Sequence, residues 1–189
     1  DYTYFQVFLE WIHRANAAFR IGPVCIFFAV YILLQKNIDV IYKKYSYALL
    51  FVITVQGGLG GLTVFKSNIP WSVAVHLVFA FFLYLVVLLI ILQTFNLRNN
   101  AFNVNRFLKV NTFITGLLTI FAAAAGAFTS KYGASLSCNS WPGCNNKFFP
   151  NFNDLFELIH FGHRLVAVML VIALTILFIK ISTYFKFLS

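Results

Sequence analysis

Apolar residues fill five long stretches of the chain, and most polar residues lie between them. The stretches run roughly over residues 6–34, 46–65, 71–95, 107–128 and 154–181, and we name them spans A to E in chain order. A helix of about 20 apolar residues crosses a hydrocarbon core about 30 Å thick. The stretches are continuous rather than alternating, which favours helices over the strands of a barrel. The pattern therefore predicts an all-α, polytopic transmembrane helical bundle with five spans.

Composition supports the same conclusion. Of the 189 residues, 61% are hydrophobic and 10% are charged, and the mean hydropathy is +0.84. A soluble domain carries about 25% charged residues. The net charge of +9 comes from basic residues in the loops between spans. We therefore interpret it as a signal of membrane topology and expect the lipid bilayer, with no nucleic acid, as a partner.

Basic residues between the spans also predict which side of the membrane each loop faces. Eight lie in the A–B loop, in the C–D loop and near the end of the chain: Lys36, Lys43, Lys44, Arg98, Arg106, Lys109, Lys180 and Lys186. The opposite side carries only Lys66, Lys131 and Lys147. Because cytoplasmic loops carry an excess of Lys and Arg, the N-terminus and the long D–E loop are expected on the outer side.

Span A contains the segment "LEWIHRANAAFR", whose ionisable residues are unusual within a membrane helix. Glu10, His13 and Arg14 are three and four positions apart, so they share one helix face near the outer end. Each ionisable side chain costs about 2.5–3.5 kcal/mol at the bilayer centre, so such residues usually face a partner or a cavity. This face is therefore a candidate functional site, although Glu10 could simply pair with a neighbouring arginine.

All four histidines of the chain lie in spans, at positions 13, 76, 160 and 163. His13 and His76 are both expected about 10 Å below the outer surface, given a rise of about 1.5 Å per residue. Two axial imidazoles from facing helices can hold a haem, and Arg14 can pair with a haem propionate. Zinc is less suited, because no cysteine lies near this level. The alternative is that these histidines are hydrogen-bonded core residues.

Two stretches of small residues lie within spans, "QGGLGGLTV" at 56–64 and "FAAAAGAF" at 121–128. Small residues allow membrane helices to approach closely. They also leave room for a flat cofactor. The sequence leaves both interpretations open.

The D–E loop carries Cys138 and Cys144, and span E follows with "ELIHFGHR". On the oxidising outer side a structural disulfide is expected, with a redox-active pair as the alternative. In span E, Glu157 and His160 repeat the spacing of Glu10 and His13. His163 and Arg164 instead repeat the His-Arg dipeptide of span A, so two alignments of the spans are possible.

The ordered set of these motifs resembles the haem A synthase family. The features are "EWIHR" at 10–14, "QGGLGGLTV" at 56–64, "HL" at 76–77, "SCNSWPGCNNKFFP" at 137–150 and "GHRLVA" at 162–167. The two His-Arg pairs are 150 residues apart, which is close to the length of a four-helix unit.

The resemblance implies a fold of eight helices in two pseudo-symmetric four-helix halves. Residues 1–97 would be helices two to four of the first half, which takes the substrate haem. Residues 98–189 would be helices one and two of the second half, which holds haem b. The first helix and the last two helices of the pattern lie beyond this sequence, so the 189 residues alone are expected to be an incomplete enzyme.

The resemblance also implies an activity and a role for each candidate residue. A haem A synthase is an oxidoreductase that converts a methyl group of haem O to the formyl group of haem A for cytochrome oxidase. Glu10 would be the catalytic carboxylate, and Cys138 and Cys144 would form the disulfide of the second half. His13 and His76 would bracket the haem O substrate, and His163, rather than His160, would be an axial ligand of haem b. The residues expected to contact a haem are therefore His13, Arg14, His76, His163 and Arg164.

Partners, location and the competing function follow from the same resemblance. Haem O synthase and cytochrome oxidase assembly factors are the expected partners, in a bacterial or archaeal plasma membrane or the mitochondrial inner membrane. The alternative function is a non-catalytic dihaem b-type membrane cytochrome that only transfers electrons. A buried carboxylate such as Glu10 at the haem edge favours the enzyme.

Overall fold

The computed structural model describes residues 3–65, 68–95 and 106–188, with side chains as far as residue 183. Every regular element of this part of the chain is helical: α1 Tyr4–Asn16, a π-helical turn Ala17–Ile21, α2 Gly22–Leu34, α3 Val40–Phe65, α4 Pro70–Thr94, α5 Arg106–Tyr132 and α6 Leu155–Leu188. Lys66 and Arg98 lie outside the described residues, as does the predicted boundary between residues 97 and 98.

Within the described residues, five helical segments are long and apolar enough to cross a membrane, which confirms the predicted number of spans. They are Tyr4–Leu34, Val40–Phe65, Pro70–Thr94, Arg106–Tyr132 and Leu155–Thr183. The chain is therefore an integral membrane protein.

Three helices are longer than their predicted spans. Helix α3 begins at Val40 rather than near residue 46, α5 ends at Tyr132 rather than near residue 128, and α6 ends at Leu188 rather than near residue 181. The extra turns contain lysines such as Lys43 and Lys131. Long cationic side chains at helix ends reach the polar interface, so a helix can continue past the hydrocarbon core.

Span A is not one continuous α-helix, which differs from the prediction. A π-helical turn at Ala17–Ile21 separates α1 from α2, and the Gly22 N–H donates to the Ala17 carbonyl, five residues back. Pro23 follows directly and has no N–H to donate into an α-helical ladder. A Cβ built on Gly22 would lie 2.9 Å from the Ala17 oxygen. The Gly-Pro pair therefore accounts for the wider turn.

Helices α5 and α6 pack against each other in antiparallel fashion. The buried positions of α5 are Thr115, Ala122 and Thr129, and those of α6 include Val166 and Ala173. These side chains are small, so the two helix backbones can approach closely, as small residues allow in membranes. Ala122 belongs to the 121–128 stretch, which supports the helix-packing interpretation of that stretch.

Aromatic contacts join α5 and α6 near both ends. The Tyr132 ring lies 5.4 Å from the Phe156 ring, measured between centroids. At the opposite end, the ammonium of Lys180 lies 5.7 Å from the centroid of the Phe107 ring, a cation–π contact. These contacts fix the register in which Gly126 of α5 meets His163 of α6.

The chain divides into two compact units. The first contains Asp1–Gly58 and Phe82–Arg98, and the second contains Leu59–Phe81 and Asn99–Ser189. His13 belongs to the first unit, whereas His76 and His163 belong to the second. The predicted meeting of His13 with His76 therefore stays a prediction.

We expect Gly22→Ala to lower the melting temperature of the detergent-solubilised protein, followed by circular dichroism. Overpacking costs about 1–3 kcal/mol, and the added methyl group would press on the Ala17 carbonyl, which the helix holds in place. The matched control is Gly57→Ala in α3, where a Cβ has open space. An equal effect of both substitutions would contradict the steric explanation of the π-helical turn.

Candidate functional site

The first group of candidate residues lies on α1. Thr3 and Gln6 form a capping box that begins this helix, with the Thr3 N–H donating to Gln6 Oε1 at 3.0 Å and the Gln6 N–H donating to Thr3 Oγ1 at 3.4 Å. One turn later Arg14 Nη2 donates to Glu10 Oε1, and the two side chains form an ion pair. His13 is exposed on the same helix. The sequence prediction that Glu10 and Arg14 share a face is confirmed.

The ion pair restricts both partners. The exposed fractions of the side chains are 48% for Arg14 and 37% for Glu10. Because the contact joins positions i and i+4, it holds the carboxylate along the α1 surface beside His13. The arrangement supplies a fixed negative charge next to an accessible imidazole.

His76 lies on α4 and contacts α3. A Cβ built on Gly60 would lie 3.3 Å from His76 Cε1 and 3.9 Å from its Nδ1. The neighbouring positions Gly58 and Gly61 have open space instead. Within the "QGGLGGLTV" stretch, one glycine thus makes room for an imidazole.

His163 on α6 has the same relation to α5, but a closer one. A Cβ built on Gly126 would lie 3.0 Å from His163 Cε1, 3.5 Å from Nε2 and 3.7 Å from Nδ1. The Nδ1 atom is buried and has no hydrogen-bond partner among the described residues. A buried polar atom without a partner costs about 1–3 kcal/mol. This imidazole is therefore suited to a partner that the described chain does not supply.

His160, one turn earlier on α6, is engaged by the protein at both ring nitrogens. Its Nε2 accepts a hydrogen bond from Arg164 Nε at 3.1 Å, and its Nδ1 accepts one from the Cys138 N–H at 3.3 Å. The Nδ1 atom also lies 3.4 Å from Ser137 Oγ. Of the two alignments that the sequence left open, this favours His163 as a ligand.

Arg164 anchors the loop between α5 and α6. Its Nη1 donates to the carbonyls of Ser140, at 2.5 Å, and Gly143, at 2.7 Å, while Nη2 donates to the Cys138 carbonyl at 2.8 Å. With the bond to His160, four of its five N–H groups are used. The sequence does not predict this role, because every residue has a backbone carbonyl and only the fold determines which carbonyls meet the guanidinium. The predicted contact of Arg164 with a haem stays a prediction.

The Cys138–Cys144 disulfide is present, as predicted. Cys138 is 5% exposed and Cys144 is fully buried. A redox-active pair needs access to a partner thiol, so burial supports the structural interpretation.

Glu157, at the start of α6, holds the same loop from the other side. Its Oε1 accepts from Asn145 Nδ2 and its Oε2 from the Asn151 N–H, both at 2.8 Å, and Oε2 lies 3.4 Å from Cys144 Sγ. Asn145 adopts a φ of 51° and also donates to the Ser137 carbonyl at 2.9 Å. The three-residue spacing between Glu157 and His160 thus places two side chains that both contact this loop.

Together these features define a class of protein. It is a multi-span helical membrane protein with imidazoles seated on glycines of neighbouring helices, and with a disulfide-closed loop fastened to one helix end. Comparison with known sequences makes the class specific. A match to the COX15-CtaA family, described as cytochrome oxidase assembly protein, covers residues 1–186. The chain belongs to this family.

Named relatives support the assignment. The chain is similar to the Heme A synthase of Oceanobacillus iheyensis, with 24% identity over 96% of the chain and 60% of that protein. It is 24% identical to the Heme A synthase of Symbiobacterium thermophilum, over 91% of the chain and 58% of that protein. A shorter match, 34% identical over 84 residues, relates it to the Heme A synthase of Bacillus pumilus. The chain spans about 60% of the length of the first two relatives.

We expect Arg164→Gln to make the disulfide reducible under milder conditions. Hydrogen bonds to a charged group contribute about 1.5–3 kcal/mol each, and each 1.4 kcal/mol corresponds to about tenfold, so reduction should speed up at least about tenfold. The rate is measured by the gel shift of maleimide-labelled thiols during incubation with dithiothreitol.

The control is Lys131→Gln, which removes an exposed cation from the last turn of α5. Equal reduction rates in Arg164→Gln and the unsubstituted protein would contradict the anchoring role.

Proposed function

We propose that this chain forms part of a haem A synthase, which oxidises a methyl group of haem O to the formyl group of haem A for cytochrome oxidase. The observation that carries the proposal is the His163 imidazole, which is seated on Gly126 with a buried Nδ1 that has no partner among the described residues. Membership of the family and similarity to proteins named Heme A synthase support the same function.

The proposal includes two haem positions. His163 would be an axial ligand of haem b, because its imidazole is available whereas that of His160 is bound by Arg164. His13 and His76 would bracket the haem O substrate. A bound haem would supply the redox chemistry at its iron. The protein's own contribution is to hold imidazoles, a carboxylate and cations at defined places.

Glu10 is the proposed catalytic residue. Oxidation of a methyl group on the macrocycle builds positive charge at the carbon, and a carboxylate in a low-dielectric setting stabilises that charge far better than it would in water. The Arg14 guanidinium holds the Glu10 carboxylate in one orientation. Arg14 would also be available to a haem propionate through its remaining N–H groups.

The proposal includes an orientation in the membrane. The N-terminus and the disulfide loop would lie on the outer side of a bacterial or archaeal plasma membrane or the mitochondrial inner membrane. The Cys138–Cys144 disulfide supports this orientation, because such bonds persist in oxidising surroundings. Haem O synthase and cytochrome oxidase assembly factors are the proposed partners.

A paired substitution tests the haem b ligand in the full-length protein. His163→Ala should lower the haem b bound per protein by about tenfold or more, since loss of even a group that orients a metal ligand costs 10–100-fold in affinity. His160→Ala removes an imidazole from the same helix but should leave haem b bound. The pyridine haemochrome spectrum of the purified protein measures both. Equal haem loss in the two variants would contradict the assignment.

A second pair tests Glu10. Glu10→Gln should lower the yield of haem A by about 100-fold or more, the scale on which removal of one electrostatic stabiliser slows an enzyme, while haem b stays bound. Arg14→Gln also breaks the ion pair but keeps the carboxylate, so the yield of haem A should fall less in this variant than in Glu10→Gln. Extracted haems are separated by chromatography. Unchanged haem A production in Glu10→Gln would refute the catalytic role, and a lack of haem A in the unsubstituted protein would favour the b-type cytochrome.

A further inference from the structure

Two glycines stand out because of what lies beside them. All ten glycines of the chain are among the described residues, and at two of them a Cβ would meet a histidine ring within 4 Å. Gly60 of α3 meets His76 of α4, and Gly126 of α5 meets His163 of α6. In both cases the nearest ring atom is Cε1, which lies between the two nitrogens. The same local arrangement thus occurs twice, in different helix pairs.

These contacts limit how each ring can turn. A Cβ at Gly126 would approach His163 Cε1 to 3.0 Å, and a Cβ at Gly60 would approach His76 Cε1 to 3.3 Å. Carbon atoms in contact lie best at about 3.5–4.0 Å. A methyl group at either position would therefore displace the ring by a few tenths of an ångström, and more at Gly126.

A displaced ring has different consequences with and without a bound iron. A side chain that binds nothing can turn slightly at little cost, because its end is flexible. A ring whose nitrogen is bonded to a metal cannot turn freely, and groups that set its orientation tune the affinity of the metal site. Close contact of a glycine with an imidazole therefore matters most in the loaded protein.

We propose that Gly126 and Gly60 are positioning residues that set the orientation of the His163 and His76 imidazoles for binding haem iron. The inference rests on the proposed function, because it takes these two histidines as haem ligands. It adds that each of the two small-residue stretches supplies one glycine that contacts the imidazole of a ligand histidine. This role is in addition to the role of the stretches in helix packing. Gly126 should be the more sensitive of the two, because its contact is closer.

The chain offers a matched control for each glycine. Gly116 lies on the same helix as Gly126, and Gly61 follows Gly60 directly, and a Cβ at either control position has open space. The full-length protein is produced with Gly126→Ala, Gly60→Ala, Gly116→Ala or Gly61→Ala. Each variant is also produced in haem-starved cells, to measure its accumulation and melting temperature without haem.

The expected result separates positioning from packing. Gly126→Ala should shift the low-spin haem signal in electron paramagnetic resonance and lower haem b per protein by about tenfold, the lower end of the effect of misoriented ligands. Gly60→Ala should lower the haem O and haem A recovered by extraction, by a smaller factor. Gly116→Ala and Gly61→Ala should leave both readouts unchanged. In haem-starved cells each variant should match its control in accumulation and melting temperature.

Each contrary outcome is decisive. Haem signals in Gly126→Ala and Gly60→Ala identical to those of their controls would overturn the inference while leaving the proposed function intact. A loss of accumulation or melting temperature already present without haem would assign the glycines to helix packing and likewise overturn it. Absence of bound haem in the unsubstituted protein would refute the proposed function, and the inference with it.

Discussion

The constraint on which this structure depends is that a backbone inside a bilayer must satisfy its own hydrogen bonds. Water is absent there, and each unsatisfied group costs several kcal/mol. Helices meet the requirement, and the part of the chain that the structure describes contains five helical segments long enough to cross the membrane. The departures from regular helix are compensated locally. The π-helical turn keeps its Gly22 N–H bonded to Ala17, and the loop after α5 directs three carbonyls at the guanidinium of Arg164.

The α5–α6 pair shows how structural and functional demands are met by adjacent residues. Small side chains bring the helices together, so Gly126 can seat His163. His160, one turn towards the loop, and Arg164, next to His163, bind each other and the disulfide loop. Glu157 holds the loop through Asn145 and the Asn151 backbone. Two histidines on one helix thus have different surroundings: His160 is bound by the loop and Arg164, whereas His163 contacts a glycine of the neighbouring helix. The difference between His160 and His163 lies in their contacts and not in their chemistry.

Sequence reasoning succeeded where a property depends on composition or short spacing. Hydrophobic length predicted the spans, and two cysteines in a loop expected on the oxidising side predicted the disulfide. It failed where the outcome depends on three-dimensional contacts. The π-helical turn at the Gly22-Pro23 pair was not predicted, and neither were the hydrogen bonds of Arg164 to the loop carbonyls. Likewise, which glycine of each small-residue stretch faces an imidazole depends on helix packing and rotation.

The π-helical turn also determines how the two halves of span A are aligned. A π turn is equivalent to an α-helix with one residue inserted, and each residue of an α-helix accounts for about 100° of rotation. The face that carries Glu10, His13 and Arg14 is therefore out of phase with the helical face that would continue it along α2. Evolution by single-residue insertion or deletion within Ala17–Ile21 could thus rotate the N-terminal, ionisable end of the span relative to its apolar end while the side chains on both faces stay the same.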